Sequence, residues 1–126
     1  MAASFGALLR AFRRRVGLSQ NQLARRADID PAYVNRLENA PDDSTSLPRR
    51  RIVVALAEVL ELDLADTDAL LVASGLCPQS VVELGGWEPS LGLVAQVLAN
   101  AALTEDERTQ FRQLIDIAAR RWGAAS

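Results

Sequence analysis

At 126 residues the chain has room for one good core, or for one small domain with a helical appendage, and is short for an enzyme that carries a cofactor domain. Its composition, 49% apolar and 24% charged without a long biased run, is that of a globular chain and excludes extensive disorder. The formal net charge of −2 conceals a division, because residues 1–52 carry ten Arg against five acids and residues 53–126 carry four Arg against eleven. A basic half beside an acidic half suits a chain of which one part meets a polyanion, and equally a chain with a solvated charged surface.

Cys77 is the single cysteine and histidine is absent, so a disulfide framework and the usual zinc constellations are excluded by counting ligands. The commonest general base is missing with the histidines, and no spacing gathers the carboxylates into a catalytic pair. The expectation is therefore a non-enzyme without cofactor or metal. Cys77 reads as a small apolar filler near a helix end. No run of about 18 uninterrupted apolar residues and no signal-peptide pattern is present, which argues for a cytoplasmic chain without a membrane segment.

In chain order, Phe5, Leu8, Leu9, Phe12 and Val16 recur at helical spacing and predict a first helix over 4–16, stopped at Gly17. Ser19 with Gln22 forms a capping box that opens a short second helix burying Leu23, Ala24 and Ala27. The chain must turn at Asp28, and Asp30-Pro31 supplies an N-cap followed by proline at the first helical position. In that third helix Val34 and Leu37 share the inner face, with Tyr33 and Glu38 on its flanks and Ala32, Asn35, Arg36 and Asn39 opposite.

Residues 40–46 read as a loop, after which Ser46 or Leu47 with Pro48 opens a fourth helix carrying Val53, Leu56, Ala57 and Leu60 inward. Asp66 or Thr67 would cap a short fifth helix that buries Leu70 and Leu71 and ends at Gly75. This gives a domain over 1–77, a linker over 78–90 punctuated by Gly85, Gly86, Pro78 and Pro89, and a C-terminal helical segment over 91–122. There, Val94, Val97, Leu98 and Ala101 line one helix. A capping box of Thr104 and Glu107 precedes Phe111, Leu114, Ile115, Ala118 and Trp122 on the other. A helical pair of about 30 residues is too small to fold unaided, so it must pack on the first domain or on a second chain.

The run Phe12-Arg13-Arg14-Arg15-Val16-Gly17-Leu18-Ser19-Gln20-Asn21-Gln22-Leu23-Ala24, with Tyr33-Val34-Asn35-Arg36-Leu37-Glu38-Asn39, resembles the Cro/repressor (XRE) family of helix-turn-helix proteins. The resemblance covers about 60 per cent of the chain and implies an all-α, five-helix DNA-binding domain, here followed by a C-terminal helical pair. Three departures stand out. Asp28 occupies the place of the family's turn glycine, and Asp tolerates left-handed backbone better than most residues. Pro31 falls where many members carry a base-reading side chain, and the loop after Asn39 is lengthened and holds Asp42 and Asp43, acids expected to face away from phosphate.

By this resemblance Gln20 is a phosphate contact at the start of helix 2, and Arg13 pairs with Glu38 to join helix 1 to helix 3. Arg36 on the open face of helix 3 suits either guanine O6 and N7 or a phosphate. Ala32 suits a thymine methyl, Asn35 a base or solvent, and Tyr33 and Asn39 the phosphates or the helix frame. Arg49, Arg50 and Arg51 crowd the positive end of helix 4, where an external anion is the natural counterpart. Phe111, Leu114, Ile115, Ala118 and Trp122 form a stripe expected to serve as intrachain core, as a dimerisation surface, or as both together.

Together these readings describe a transcriptional repressor or regulator that binds an inverted repeat in double-stranded DNA as a homodimer. The partner or small-molecule effector is left open. The rival readings are a DNA-binding antitoxin of a toxin–antitoxin pair and a protein-interaction adaptor that has lost DNA binding.

Overall fold

The structure, a computed structural model, describes residues 4–40 and 47–123. The described residues form helices without strands, and the chain divides into two units, Met1–Gly86 and Trp87–Ser126.

In the first unit, α1 (Phe5–Arg15) is capped by Ser4, whose hydroxyl accepts from the Ala7 N–H at 3.2 Å. Phe5, Leu9 and Phe12 repeat at helical spacing and are buried, and Gly17 ends the segment at φ +73. α2 (Gln20–Arg26) opens on the reciprocal box: Gln22 N donates to Ser19 Oγ at 3.0 Å and Ser19 N to Gln22 Oε1 at 2.9 Å. Asp28 then takes φ 58, the left-handed turn conformation, so the chain reverses without the glycine it would usually use. α3 (Pro31–Asn39) starts with Pro31 at its first turn and Asp30 Oδ1 accepting from Ala32 N at 2.8 Å.

α4 (Arg50–Val59) has Arg49 at its N-cap and no side-chain cap bond. Leu47 lies before the helix, and Ser46, with Asp42 and Asp43, falls outside the described residues. The end of α4 is a left-handed turn at Glu61 (φ 53), with Leu62 N donating to Ala57 O. α5 (Leu64–Ala73) is longer than the sequence suggested and is capped by Asp63, whose Oδ1 accepts from Asp66 N at 2.8 Å. Asp66 lies inside the first turn, where its N–H is the one that Asp63 accepts, and its carboxylate meets Arg15 Nη2 at 3.1 Å.

Leu9, Leu23, Val34, Val53, Leu56, Leu60, Leu70 and Leu71 are fully buried, so every helix from α1 to α5, with the C-cap of α4, contributes to one core. Ser74, the buried C-cap of α5, turns its hydroxyl back to Leu70 O and Leu71 O.

The expected linker over 78–90 contains one short helix. Residues Gln79–Val82 form a short helix, α6, packed on α5, because Asp68 reaches across to hold its start: Ser80 N donates to Asp68 Oδ1 at 3.2 Å and Ser80 Oγ to Asp68 Oδ2 at 2.5 Å. Cys77 is corrected, since its side chain is exposed and fills no core.

In the second unit, α7 (Pro89–Leu98) begins earlier than expected, with Glu88 as cap and Pro89 at the first turn. It stops before Ala101, which lies in a turn where Asn100 Oδ1 accepts from Ala102 N at 3.0 Å. α8 (Glu105–Arg121) starts on the Thr104–Glu107 box. Arg108 holds the turn between them, donating from Nε to Leu98 O at 3.0 Å and from Nη2 to Asn100 O at 2.8 Å. None of the described residues of this unit is buried. Among the described residues no helix is long and apolar enough to cross a membrane.

Candidate nucleic-acid interface

Helix α3 is seated by α1 through one line of residues, Gly6, Arg10 and Arg13, which recur at helical spacing on a single face. Gly6 permits the close approach: a Cβ there would lie 2.6 Å from Leu37 O and 2.7 Å from Glu38 O, closer than atoms can pack. Arg13 donates from Nε to Glu38 Oε2 at 2.6 Å and from Nη2 to Glu38 Oε1 at 2.8 Å, a two-toothed pairing of guanidinium and carboxylate. The Glu38 side chain is 0% exposed and that of Arg13 11% exposed.

Arg10 adds bonds to Glu38 Oε1 and Glu38 O, both at 3.3 Å, and to Asn39 Oδ1 at 2.8 Å. It therefore covers the carbonyl end of α3, where a cation is favoured by the helix dipole. Burial pushes the Glu38 carboxyl up, but the bonds from Arg13, Gln20 and Arg10 outweigh it and hold the group below its ordinary range. The Arg13 guanidinium is raised mainly by its bond with Glu38, against the lowering effect of burial.

From Glu38 the polar chain continues to the start of α2. Gln20 Nε2 donates to Glu38 Oε1 at 3.1 Å, and Gln20 Oε1 accepts from Asn35 Nδ2 at 3.0 Å. The expected phosphate-binding glutamine is thus anchored at both ends of its amide, with one Nε2 hydrogen left over. Asn39 is engaged likewise, accepting from Arg10 and donating from Nδ2 to Asn35 O at 3.0 Å. That places it in the helix frame. Ala32, Asn35 and Arg36 are exposed together, and the Arg36 guanidinium lies over the half-buried Tyr33 ring at 5.6 Å from its centre.

The arginine cluster at α4 is not a uniform anion-facing group. Arg50 turns inward and donates from Nη1 to Cys77 O at 2.9 Å and from Nη2 to Gln79 Oε1 at 2.8 Å, while Arg49 and Arg51 are exposed. Its proximity to the α5–α6 turn fixes this, a neighbour that no reading of residues 49–51 supplies.

Phe111, Leu114, Ile115, Ala118 and Trp122 lie in the second unit, apart from these groups in the chain. Phe111 is half-buried, whereas Leu114 is 64% and Trp122, the C-cap of α8, 81% exposed. Ile117, outside the expected stripe, is 65% exposed and belongs to the same uncovered surface of α8.

Two contributors escaped the sequence reading. Arg10 stands one turn before Arg13 on the same face, a spacing that was available as a signal. Gly6, inside a helix where glycine weakens the backbone, was a second signal of a close helix crossing.

The helix pair α2–α3, joined by a tight left-handed turn, with α3 presenting an open face of small and polar residues, defines a helix-turn-helix. Residues 4–70, somewhat over half of the chain, match the family model described as a helix-turn-helix domain. The chain belongs to that family, in keeping with its resemblance to Cro/repressor-type regulators. No curated protein and no solved structure matches the chain in the corresponding comparisons.

Proposed function

We propose that the protein is a cytoplasmic, sequence-specific DNA-binding regulator, a repressor, that occupies an inverted repeat as a homodimer and carries out no catalysis. The observation that carries this reading is the open face of α3: Ala32, Asn35 and Arg36 stand exposed on a helix whose back is fixed to α1 by Gly6, Arg10 and Arg13. A helix held this rigidly can enter a major groove without first being ordered.

Arg36 serves a guanine edge or a phosphate, and Arg49, Arg51 and the remaining Gln20 hydrogen serve phosphates. Dimerisation is assigned to α8 through Phe111, Leu114, Ile115, Ala118 and Trp122, because this unit leaves large apolar side chains uncovered and has no buried residue of its own among those described.

Titrating the purified protein against a pool of genomic duplexes across a salt series tests the reading. Retention of a subset of fragments, weakening steeply as salt rises, is expected from phosphate neutralisation. Absence of retention at low salt would overturn it and favour the adaptor reading.

A further inference from the structure

Glu38, Gln20 and Asn35 form a directional relay. An ionised carboxylate has acceptors only, so the Gln20 amide must turn its NH2 toward Glu38 Oε1, as it does at 3.1 Å. Its carbonyl oxygen is thereby committed to the opposite end, and an amide oxygen can only accept. Asn35 must then face it with Nδ2, at 3.0 Å. The orientation of the exposed Asn35 amide is thus set two hydrogen bonds away, by a carboxylate that Arg13 and Arg10 also hold.

Resting on the DNA-binding reading above, we propose that Asn35 is a specificity-determining residue that selects adenine in each half-site, and that Gln20 and Glu38 are the positioning residues that fix this choice. An unconstrained asparagine amide can turn either end to a base. Here one Nδ2 hydrogen is used on Gln20, which leaves one N–H donor and the Oδ1 acceptor for a ligand. Adenine offers the complement, an acceptor at N7 and a donor at N6, whereas guanine offers two acceptors at N7 and O6.

Its neighbours leave the role to Asn35. Pro31 has no polar side chain, Ala32 has only a methyl, Asn39 is bonded at both ends within the protein, and Arg36 carries donors only and cannot accept from adenine N6.

The test is selection of bound duplexes from a random library by the full chain, by Asn35→Ala and by Gln20→Ala, with thermal melts to establish that each variant is folded. The wild type is expected to select a motif with one invariant adenine per half-site. Asn35→Ala loses that preference by roughly ten-fold or more, the size of one two-bond base contact. Gln20→Ala relaxes the same position and no other, whatever its effect on overall affinity.

In the selected duplex, replacing that adenine by 7-deazaadenine weakens the wild type and leaves Asn35→Ala unchanged, which a merely structural role would not produce. A selected motif that Asn35→Ala leaves unaltered at every position overturns the inference while the DNA-binding reading stands. Relaxation by Asn35→Ala but not by Gln20→Ala overturns the relay. A wild type that selects no duplex even at low salt overturns the DNA-binding reading itself, and this inference with it.

Discussion

The units Met1–Gly86 and Trp87–Ser126 are built from helices of similar quality and use them in opposite ways. Both open helices on reciprocal capping boxes, Ser19 with Gln22 and Thr104 with Glu107, and both place proline at a helix start, Pro31 and Pro89. The first closes its apolar faces on one another, and each of its fully buried leucines and valines gains about 1.5 to 3 kcal/mol over exposure. The second leaves Trp87, Leu93, Leu114, Ile117 and Trp122 open. Good local helix signals therefore do not make a core. A core needs faces that meet.

The division of charge is also resolved differently by the fold. The ten Arg of residues 1–52 and the acids Glu58, Glu61, Asp63, Asp66, Asp68 and Glu83 all lie in the first unit, which is therefore one domain with a basic N-terminal part and an acidic C-terminal part. The basic and the acidic segments share one unit, instead of occupying separate domains.

The comparison breaks most sharply at the buried carboxylate. Replacing Glu38 by Ala leaves Arg13 nearly buried without its partner, and is expected to destabilise the first unit by about 3 to 5 kcal/mol in chemical denaturation. A loss below about 1 kcal/mol would place the pair among surface ion pairs. The pH dependence follows from the same group. Its folded-state pKa lies below its unfolded one, so its stabilisation is complete above the ordinary carboxylate value of 4.5 and is lost as pH falls through the lowered folded value. Glu38→Gln should flatten the stability profile in that acid range; an unchanged profile would assign acid unfolding to other carboxylates.

Gly6→Ala is the next largest. The added methyl meets backbone carbonyls of α3, which cannot rotate aside, and a cost of about 1 to 3 kcal/mol is expected despite alanine's better helix propensity. A stabilised variant would mean that α1 and α3 are free to separate.

Arg50→Ala separates the roles open to the arginine cluster. It removes the clamp on Cys77 O and Gln79 and should lower thermal stability by about 1 kcal/mol, whereas Arg51→Ala should leave the melt unmoved and reduce the salt slope of DNA binding. Equal melting temperatures for both variants would return Arg50 to the exposed cluster.

The smallest effect on folding is expected from removing residues 87–126. The first unit contains its own core and should keep its unfolding free energy within about 0.5 kcal/mol. Sedimentation of the same truncation sharpens the contrast: loss of the dimer assigns the open face of α8 to self-association, and a truncated dimer places the interface in the first unit.

Much of the helix-turn-helix was legible in the sequence because its signals are local. Ser19-x-x-Gln22, Asp30-Pro31, Gly17 and the apolar period of α1 each act within one turn, and so gave the first three helices and the open face of α3. Arg13 and Glu38 were legible only through family resemblance, since 25 residues separate them. The inward turn of Arg50 and the short helix α6 within the expected linker could not be read this way. Each depends on a partner from a distant segment: Gln79 for Arg50 and Asp68 for Ser80. The sequence by itself determined where α1, α2, α3 and α8 begin and which stripe the first three of these bury, because capping and periodicity act over three or four residues. Only the tertiary structure decided which polar side chain faces which, because a guanidinium or an amide takes whatever acceptor the packing of the apolar stripes brings within about 3 Å.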